Sequence, residues 1–248
     1  MKGVILAGGT GSRLFPLTKV TNKHLLPVYN KPMIYYPIEC MVNAGIDEVL
    51  LVTGGNNAGD FIRLLGNGRE FGLKSLNYTY QEGAGGIAQA LGLAEDFADG
   101  GSICLILGDN ILEYSIKDAC KRFRHQGQGA KILLSQVENP KAYGVAEMNG
   151  ETVVRIVEKP RDPRSNWAVT GIYFYDGKVF DIVKTLRPSA RNELEITDVN
   201  NAYIERGEMT ADKVSGFWAD AGENIDFYLK ACNTVAQCGA NKEIGAAM

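Results

Sequence analysis

Four short apolar runs, separated by longer amphipathic stretches, constrain this chain more than any other feature. Residues 3–7, 48–53, 76–80 and 103–107 are rich in Val, Ile and Leu, and each run ends at Gly, Gln-Glu or Gly-Asp. Runs of that length suit strands buried on both faces. Between them, residues 32–44 carry Met33, Ile34, Ile38, Met41 and Val42 on one stripe and stop at Gly45, which predicts a helix. Residues 58–65, 87–97 and 116–125 read as helices in the same way. Strand-helix alternation predicts an α/β fold: an open, mostly parallel sheet flanked by helices.

Beyond about Gly129 the pattern changes. Residues 131–137, 144–148, 152–157 and 168–175 read as strands, and Asn149-Gly150 is a hairpin turn. Pro160 to Pro163 form a polar loop. Helices return over 177–186 and 194–206, a strand over 211–215 and a final helix over 224–236. No repeat or Pro/Gly/Ser linker interrupts the chain, so one domain with a more β-rich second half is expected. The tail 241–248, with Gly245-Ala246-Ala247, is expected to fray.

Composition narrows the partners. The 248 residues include 26 Lys plus Arg against 29 Asp plus Glu, a formal net charge of −3. Nucleic acid or an anionic membrane would call for a basic excess, so neither is expected. A few cations in one cleft can still hold a small anion. Cys40, Cys104, Cys120, Cys232 and Cys238 are odd in number and have no CxxC spacing, which predicts reduced thiols in a cytoplasmic protein. With only His24 and His125 beside them, a zinc site is not expected. The apolar run at residues 4–7 is too short for a signal peptide, and no stretch has the length of a membrane span.

The strongest chemical signal is Leu6-Ala7-Gly8-Gly9-Thr10-Gly11-Ser12-Arg13-Leu14, directly after the first strand. Glycines there let backbone N–H groups approach an anion, at the sheet edge where open α/β folds bind ligands. A dinucleotide fingerprint anchored at Gly9 and Gly11 would need glycine in place of Leu14, and a Walker A loop would need Gly-Lys-Ser/Thr. Arg13 has no turn role and is placed to grip phosphate. Lys19 and Lys23 share a helical face. They could be a solvated pair, but Lys23 precedes the apolar Leu25-Leu26-Pro27 and is favoured to point into a cleft.

Other motifs fall at carboxyl ends of predicted strands. Gln81 in Gln81-Glu82-Gly83-Ala84-Gly85-Gly86 offers donors and an acceptor to the imide edge of a pyrimidine, although a flexible glycine loop fits as well. Asp109, in Leu107-Gly108-Asp109-Asn110, and Asp220, in Trp218-Ala219-Asp220-Ala221-Gly222, are candidate Mg²⁺ ligands. Either alone is more often an Asx-turn or cap. Glu158-Lys159 ends a strand where a carboxylate can bond sugar hydroxyls and an ammonium a sugar phosphate; an exposed strand end fits equally. Arg187, Arg191, Glu193 and Glu195 read as a surface loop and helix start. Neither histidine has the partners of a nucleophile triad.

LAGGTGSRLFPLTKVTNKHLLPV, LGDN, YGVAE, VEKP, AVTGIYFYD, ELEITDVN and WADAG follow one another across nearly the whole chain. In that order they resemble the sugar-1-phosphate nucleotidylyltransferases, most of all the glucose-1-phosphate thymidylyltransferases. The resemblance implies a Rossmann-like nucleotidyltransferase fold. It implies one domain over 1–240, with a nucleotide-binding part at about 1–129, a sugar-binding part at about 130–222 and a C-terminal helix at about 223–236. The reaction implied is transfer of a deoxythymidylyl group from dTTP to glucose 1-phosphate, giving dTDP-glucose and pyrophosphate. Leu6, Gly8, Gly9, Thr10 and Gly11 would line the nucleotide, with Arg13 and Lys23 on its phosphates. Gln81 and Gly86 would read thymine, and Asp109 and Asp220 would hold Mg²⁺. Asn110, Tyr143, Gly144, Glu158 and Val169 would hold the sugar, and Lys159 its phosphate. A homo-oligomer is also implied.

The chemistry agrees with the missing histidine base. A sugar phosphate oxygen is already an anionic nucleophile, so positioning and charge neutralisation by Mg²⁺, Arg13, Lys23 and Lys159 suffice. Three departures stand out. His24 follows Lys23 where many relatives carry Gln, and Ala221 stands where others have Thr. Longer relatives continue past the final helix into an oligomer-building, regulatory segment, so weak feedback is expected. The rival readings are a UTP- or CTP-dependent enzyme and a catalytically silent sensing module. One methyl group gives only about 1–3 kcal/mol of discrimination between thymine and uracil.

Overall fold

Three apolar runs of the first half become inner strands of one sheet in a computed structural model, which describes residues 1–243, while the fourth, at 76–80, falls at the sheet edge and is half-exposed rather than buried on both faces. In chain order the first half forms β1 (Lys2–Ala7), β2 (Pro27–Val28), β3 (Lys31–Pro32), α1 (Tyr35–Asn43), β4 (Glu48–Gly54) and α2 (Ala58–Leu65). It continues with β5 (Ser75–Gln81), α3 (Ile87–Gly92), α4 (Glu95–Ala98), β6 (Ile103–Leu107), β7 (Asn110–Leu112) and α5 (Lys117–Gln126). The second half adds β8 (Ala130–Gln136), β9 (Gly144–Asn149), β10 (Thr152–Glu158), β11 (Trp167–Tyr175), α6 (Val179–Thr185) and α7 (Ile196–Glu205). β12 (Met209–Lys213), β13 (Trp218–Asp220) and α8 (Ile225–Cys238) complete it.

The main sheet has nine strands. Its path is β10-β9-β11-β6-β1-β4-β5, with β8 paired to β11 and β12 to β8. β1 runs parallel to β4 and β6, and β4 to β5, while β11 pairs antiparallel with β6, β8 and β9. The mostly parallel α/β sheet read from the sequence is present, and its antiparallel share lies in the β-rich second half. Leu6 stands opposite both Val52 and Leu107. The carboxyl ends of β1, β4 and β6 therefore reach one edge together.

Both faces of β1, β4 and β6 are buried. Val4, Leu6 and Leu105 pack under α3, α6 and α7 through Leu91, Ile182 and Val199. Ile5, Leu51 and Ile106 pack under α1, α2 and α5 through Met41, Phe61 and Phe123. Each fully buried side chain of this kind contributes about 1.5–3 kcal/mol, and the two layers fix the strand ends that carry the polar loops.

Several local expectations change. The helix predicted over 32–44 starts at Tyr35, because Lys31 and Pro32 pair with Val28 and Pro27. The helix predicted over 87–97 divides into α3 and α4 after Gly92, where a Cβ would lie 3.3 Å from Val183 Cγ1 of α6. The β7–β13 ribbon was not legible as a pair, and it sets Asp220 opposite Asn110. The fraying expected over 241–248 is corrected at its start. Asn241 is buried, its Nδ2 donates to Tyr36 O at 2.9 Å, and Lys242 bridges to Tyr114. Residues 244–248 of that tail lie outside the described residues. No two cysteines are bridged. Among the described residues no helix is long and apolar enough to cross a membrane.

Candidate active site

The glycine loop leaves β1 at the sheet edge. Gly9 and Gly11 have φ of +93° and +63°, values that a side chain would strain. A Cβ on Gly8 would lie 3.0 Å from Gln81 Oε1, and one on Gly11 would lie 2.9 Å from Thr18 Cγ2. The loop, Gln81 and the following turn are thus in contact. A cavity of about 520 Å³ opens beside them, of a size that suits a small ligand. On the loop side it is lined by Leu6, Gly8, Gly9, Arg13 and Lys23; Thr10 and Gly11, also expected there, do not line it, and Thr10 is exposed to solvent. Gln81, Gly86, Asp109, Asn110 and Asp220 line its middle, and Tyr143, Gly144, Glu158, Lys159 and Val169 its far side.

The charged centre lies between these walls. Lys23 Nζ is ion-paired with Asp109 Oδ2. Ala221 N donates to Asp109 O at 2.9 Å, and Gly222 N to Asp220 Oδ1 at 3.0 Å. Gly222 belongs to this packing: a Cβ there would overlap Asp109 Oδ2 and sit 2.7 Å from Lys23 Nζ. The two aspartates have opposite fates. Burial pushes both up, but at Asp109 the Lys23 ammonium and its hydrogen bond prevail and hold the carboxyl below the ordinary value. At Asp220 burial and the neighbouring Asp109 charge raise the pKa to about 7. One ammonium therefore faces two carboxyls, Asp109 buried and Asp220 partly buried.

His24 is buried beneath Gly108, where a Cβ would lie 2.7 Å from His24 Cδ2. Its Nδ1 is 2.8 Å from Asn22 Oδ1, and Asn22 Nδ2 donates to Ala7 O at 3.3 Å. Burial and Lys23 lower its pKa to about 3, so the ring is neutral. Asn110 is largely engaged in holding strands together. Its Oδ1 accepts from Gly171 N at 2.9 Å and Trp218 Nε1 at 2.6 Å, and its Nδ2 donates to Asp109 Oδ1 at 3.1 Å.

Beside the glycine loop, Gln81 Nε2 donates to Gly86 O at 3.1 Å and to Gln89 Oε1 at 2.8 Å. Both donor hydrogens are occupied, which leaves Oε1, the acceptor, beside Gly8. Gln89 was missed in the sequence because it lies on a helical turn with no motif of its own. Gly86 has φ +96°, and a Cβ there would lie 2.5 Å from Leu194 O. That close approach stitches the glycine-rich loop to the 187–195 segment.

On the far side, Tyr143 follows a 3-10 turn (Pro140–Ala142) and packs edge-on to Trp218, with ring centroids 5.2 Å apart. Burial, Asp220 and Glu223 push its phenol pKa up, so it stays a donor. Gly144 stands opposite Glu158 across β9 and β10. Glu158 Oε2 accepts from Thr197 Oγ1 at 2.7 Å, and Oε1 from Arg191 Nη2 at 3.2 Å. Lys159 sits at φ +43°, a strained conformation for a non-glycine residue, with its N–H donating to Tyr143 O at 3.0 Å. Among the described residues no carboxylate pairs with it. Val169 flanks a register shift in β11. Arg191, read from sequence as a surface residue, lines the cavity and pairs with Glu158, Glu193 and Glu195 at 3.2, 3.4 and 2.6 Å.

The chain as a whole is similar to known proteins. The family described as Nucleotidyl transferase matches residues 2–237. A Neisseria meningitidis protein named glucose-1-phosphate thymidylyltransferase is 46% identical, over 93% of this chain and 81% of that protein. One of the same name from Mycolicibacterium smegmatis is 43% identical, over 95% of this chain and 82% of that protein. A solved Bacillus anthracis structure, in complex with sucrose and provisionally given the same enzyme name, is 49% identical. It superposes with a TM-score of 0.91 over 96% of this chain and 95% of its own. A UDP-glucose pyrophosphorylase complexed with UDP-glucose is more distant, at 25% identity and a TM-score of 0.84, over 95% of this chain and 98% of its own. The matches span both the glycine-loop wall and the Glu158-Lys159 wall of the cavity, and the chain belongs to the nucleotidyl transferase family of enzymes, among its glucose-1-phosphate thymidylyltransferases.

Proposed function

We propose that this enzyme transfers a deoxythymidylyl group from dTTP to α-D-glucose 1-phosphate, giving dTDP-glucose and pyrophosphate. One observation carries the reading: a single cavity joins Arg13 and Lys23 at the glycine loop to Glu158 and Lys159 across the Asp109–Asp220 pair. The names borne by the relatives supply the substrates. In this reading Gly8, Gly9 and Leu6 face the nucleotide, and Gln81 Oε1 accepts the thymine N3–H. Gly86 lets the backbone approach the ring. Tyr143, Gly144, Glu158 and Val169 hold the glucose, and Lys159 its phosphate. Asn110 supports the sugar wall through its bonds to β11 and β13.

Arg13 and Lys23 hold the triphosphate while a glucose 1-phosphate oxygen attacks the α-phosphorus and pyrophosphate leaves. No base is needed, which agrees with a neutral, buried His24. The family's members generally use a divalent metal. Asp109 and Asp220 fit a hard cation, because two carboxyls face one ammonium and burial and the Asp109 charge raise the Asp220 pKa to about 7. Among the described residues no group of three or more His, Cys, Asp or Glu forms a closed metal cage. That suits Mg²⁺, which keeps few protein ligands and shares substrate phosphates. Bound there, it would neutralise phosphate charge. The reading carries with it a cytoplasmic homo-oligomer.

Pyrophosphate release with Mg²⁺ tests it, crossing dTTP, UTP, CTP, ATP and GTP with the 1-phosphates of glucose, galactose, mannose and N-acetylglucosamine. The expected result is a dominant signal for dTTP with glucose 1-phosphate. A dominant UTP signal would move the base assignment, and no release from folded, nucleotide-binding protein would favour a sensing module.

A further inference from the structure

The two cations assigned to the triphosphate are both already paired with carboxylates. Lys23 is held by Asp109, inside the cavity and mostly buried. Arg13 is held by Glu223, Nη1 to Oε2 at 2.6 Å, with the arginine side chain 50% exposed. The Glu223 carboxylate accepts no other hydrogen bond among the described residues, so its contact with Arg13 is its distinguishing feature.

Both ends of this pair are fixed by their own elements. Arg13 lies in a 3-10 turn (Ser12–Leu14) that is set by left-handed Gly11 and closed by Leu14 N donating to Gly11 O at 3.0 Å. Glu223 lies between β13 and α8. On one side Gly222 N donates to Asp220 Oδ1, and on the other Asn224 Oδ1 caps α8 by accepting from Phe227 N at 2.9 Å. Both Arg13 and Glu223 line the cavity. The charges of both also act on Tyr143 of the sugar wall, Glu223 raising and Arg13 lowering its pKa. The pair thus stands where the two halves of the cavity meet.

We infer that Glu223 is a positioning residue that holds Arg13 ahead of nucleotide binding and competes with the triphosphate for it, so that it sets dTTP affinity. This rests on the proposed role of Arg13 toward dTTP. The exchange is easy on the arginine side, because an ion pair this exposed is weak in water. A polyphosphate carries more charge than one carboxylate and takes the guanidinium. Pyrophosphate meets the same competition as it leaves.

The test compares dTTP binding with Mg²⁺ by equilibrium dialysis, and steady-state kinetics, for wild type, Glu223→Gln, Glu223→Asp and Glu193→Gln. Glu193 is a second cavity carboxylate, paired with Arg191 rather than Arg13. Glu223→Gln is expected to tighten dTTP about two- to fivefold, the span an exposed ion pair is worth, with the KM for glucose 1-phosphate unchanged. Glu223→Asp, charged but one methylene shorter, is expected to fall between, and Glu193→Gln to match wild type. Unchanged or weaker dTTP binding by folded Glu223→Gln overturns the inference while leaving the reaction in place. Equal tightening by Glu193→Gln also overturns it, since the cause is then the general field of the cavity. Wild-type protein that binds no dTTP overturns both readings.

Discussion

Arg13 and Asp220, both placed in the proposed site, differ in what they cost the fold. Arg13 is half exposed and bonded to one carboxylate, so its removal costs the fold little. Arg13→Ala is expected to lower kcat about 10²–10³-fold, the range for loss of one charge-stabilising donor, with the KM for glucose 1-phosphate changed far less. Unchanged turnover would remove Arg13 from catalysis. Asp220 is the reverse case. It is the partly buried half of a carboxyl pair facing one ammonium, and its charge destabilises the metal-free protein at neutral pH. Asp220→Asn is expected to abolish turnover and yet raise metal-free stability by about 1–2 kcal/mol, measured as the urea midpoint with chelator present. A lowered midpoint would show that the carboxylate supports the fold. Arg13, Asp109 and Asp220 were legible as site candidates because each adjoins a strand end or glycine turn. Arg191 and Gln89 were not, since their partners Glu158 and Gln81 are distant in sequence or belong to another element.

Among the elements, the parallel strands and their covering helices follow directly from apolar spacing. α5 exposes Arg122 and buries Cys120 and Phe123, the latter against Phe174 at 5.6 Å between centroids. Phe123→Ala is expected to cost about 3–5 kcal/mol in urea unfolding, and a loss under 1 kcal/mol would mean that the layer collapses to fill the gap. α7 starts differently, at Glu195. Burial pushes that carboxyl up, but Arg191 and Ser189 outweigh it and hold the pKa below the ordinary 4.5. A depressed carboxyl adds stability above its unfolded value, and the gain is lost as pH falls through the folded value. Glu195→Gln is therefore expected to lose about 1 kcal/mol at pH 7 and to show a shallower fall in stability below pH 4.5. Equal acid slopes for both proteins would contradict this. The short β7 and β13 escaped the sequence reading because three-residue strands carry no periodicity.

Across the whole molecule, residues from opposite ends of the chain meet. Asn241 stands at φ 55°, a conformation asparagine tolerates. It joins α1 to β7, accepting from Asn43 Nδ2 at 3.2 Å and donating to Tyr36 O and Leu112 O, each at 2.9 Å. Asn241→Ala is expected to cost about 1–3 kcal/mol, the penalty for stranding a buried polar partner, with both KM values kept; a shift in either KM would tie this contact to the site. By itself the sequence determined the α/β class, the inner strands, the sheet edge that carries the ligand loops and the family. Those properties follow from local spacing, glycine geometry and ordered motifs. Only the tertiary structure decided that Asp220 faces Asn110, that Glu223 takes Arg13 and that Arg191 turns inward onto Glu158. Each pairing joins residues brought close by strand order and two buried layers, and no local pattern records which distant charge will be the neighbour.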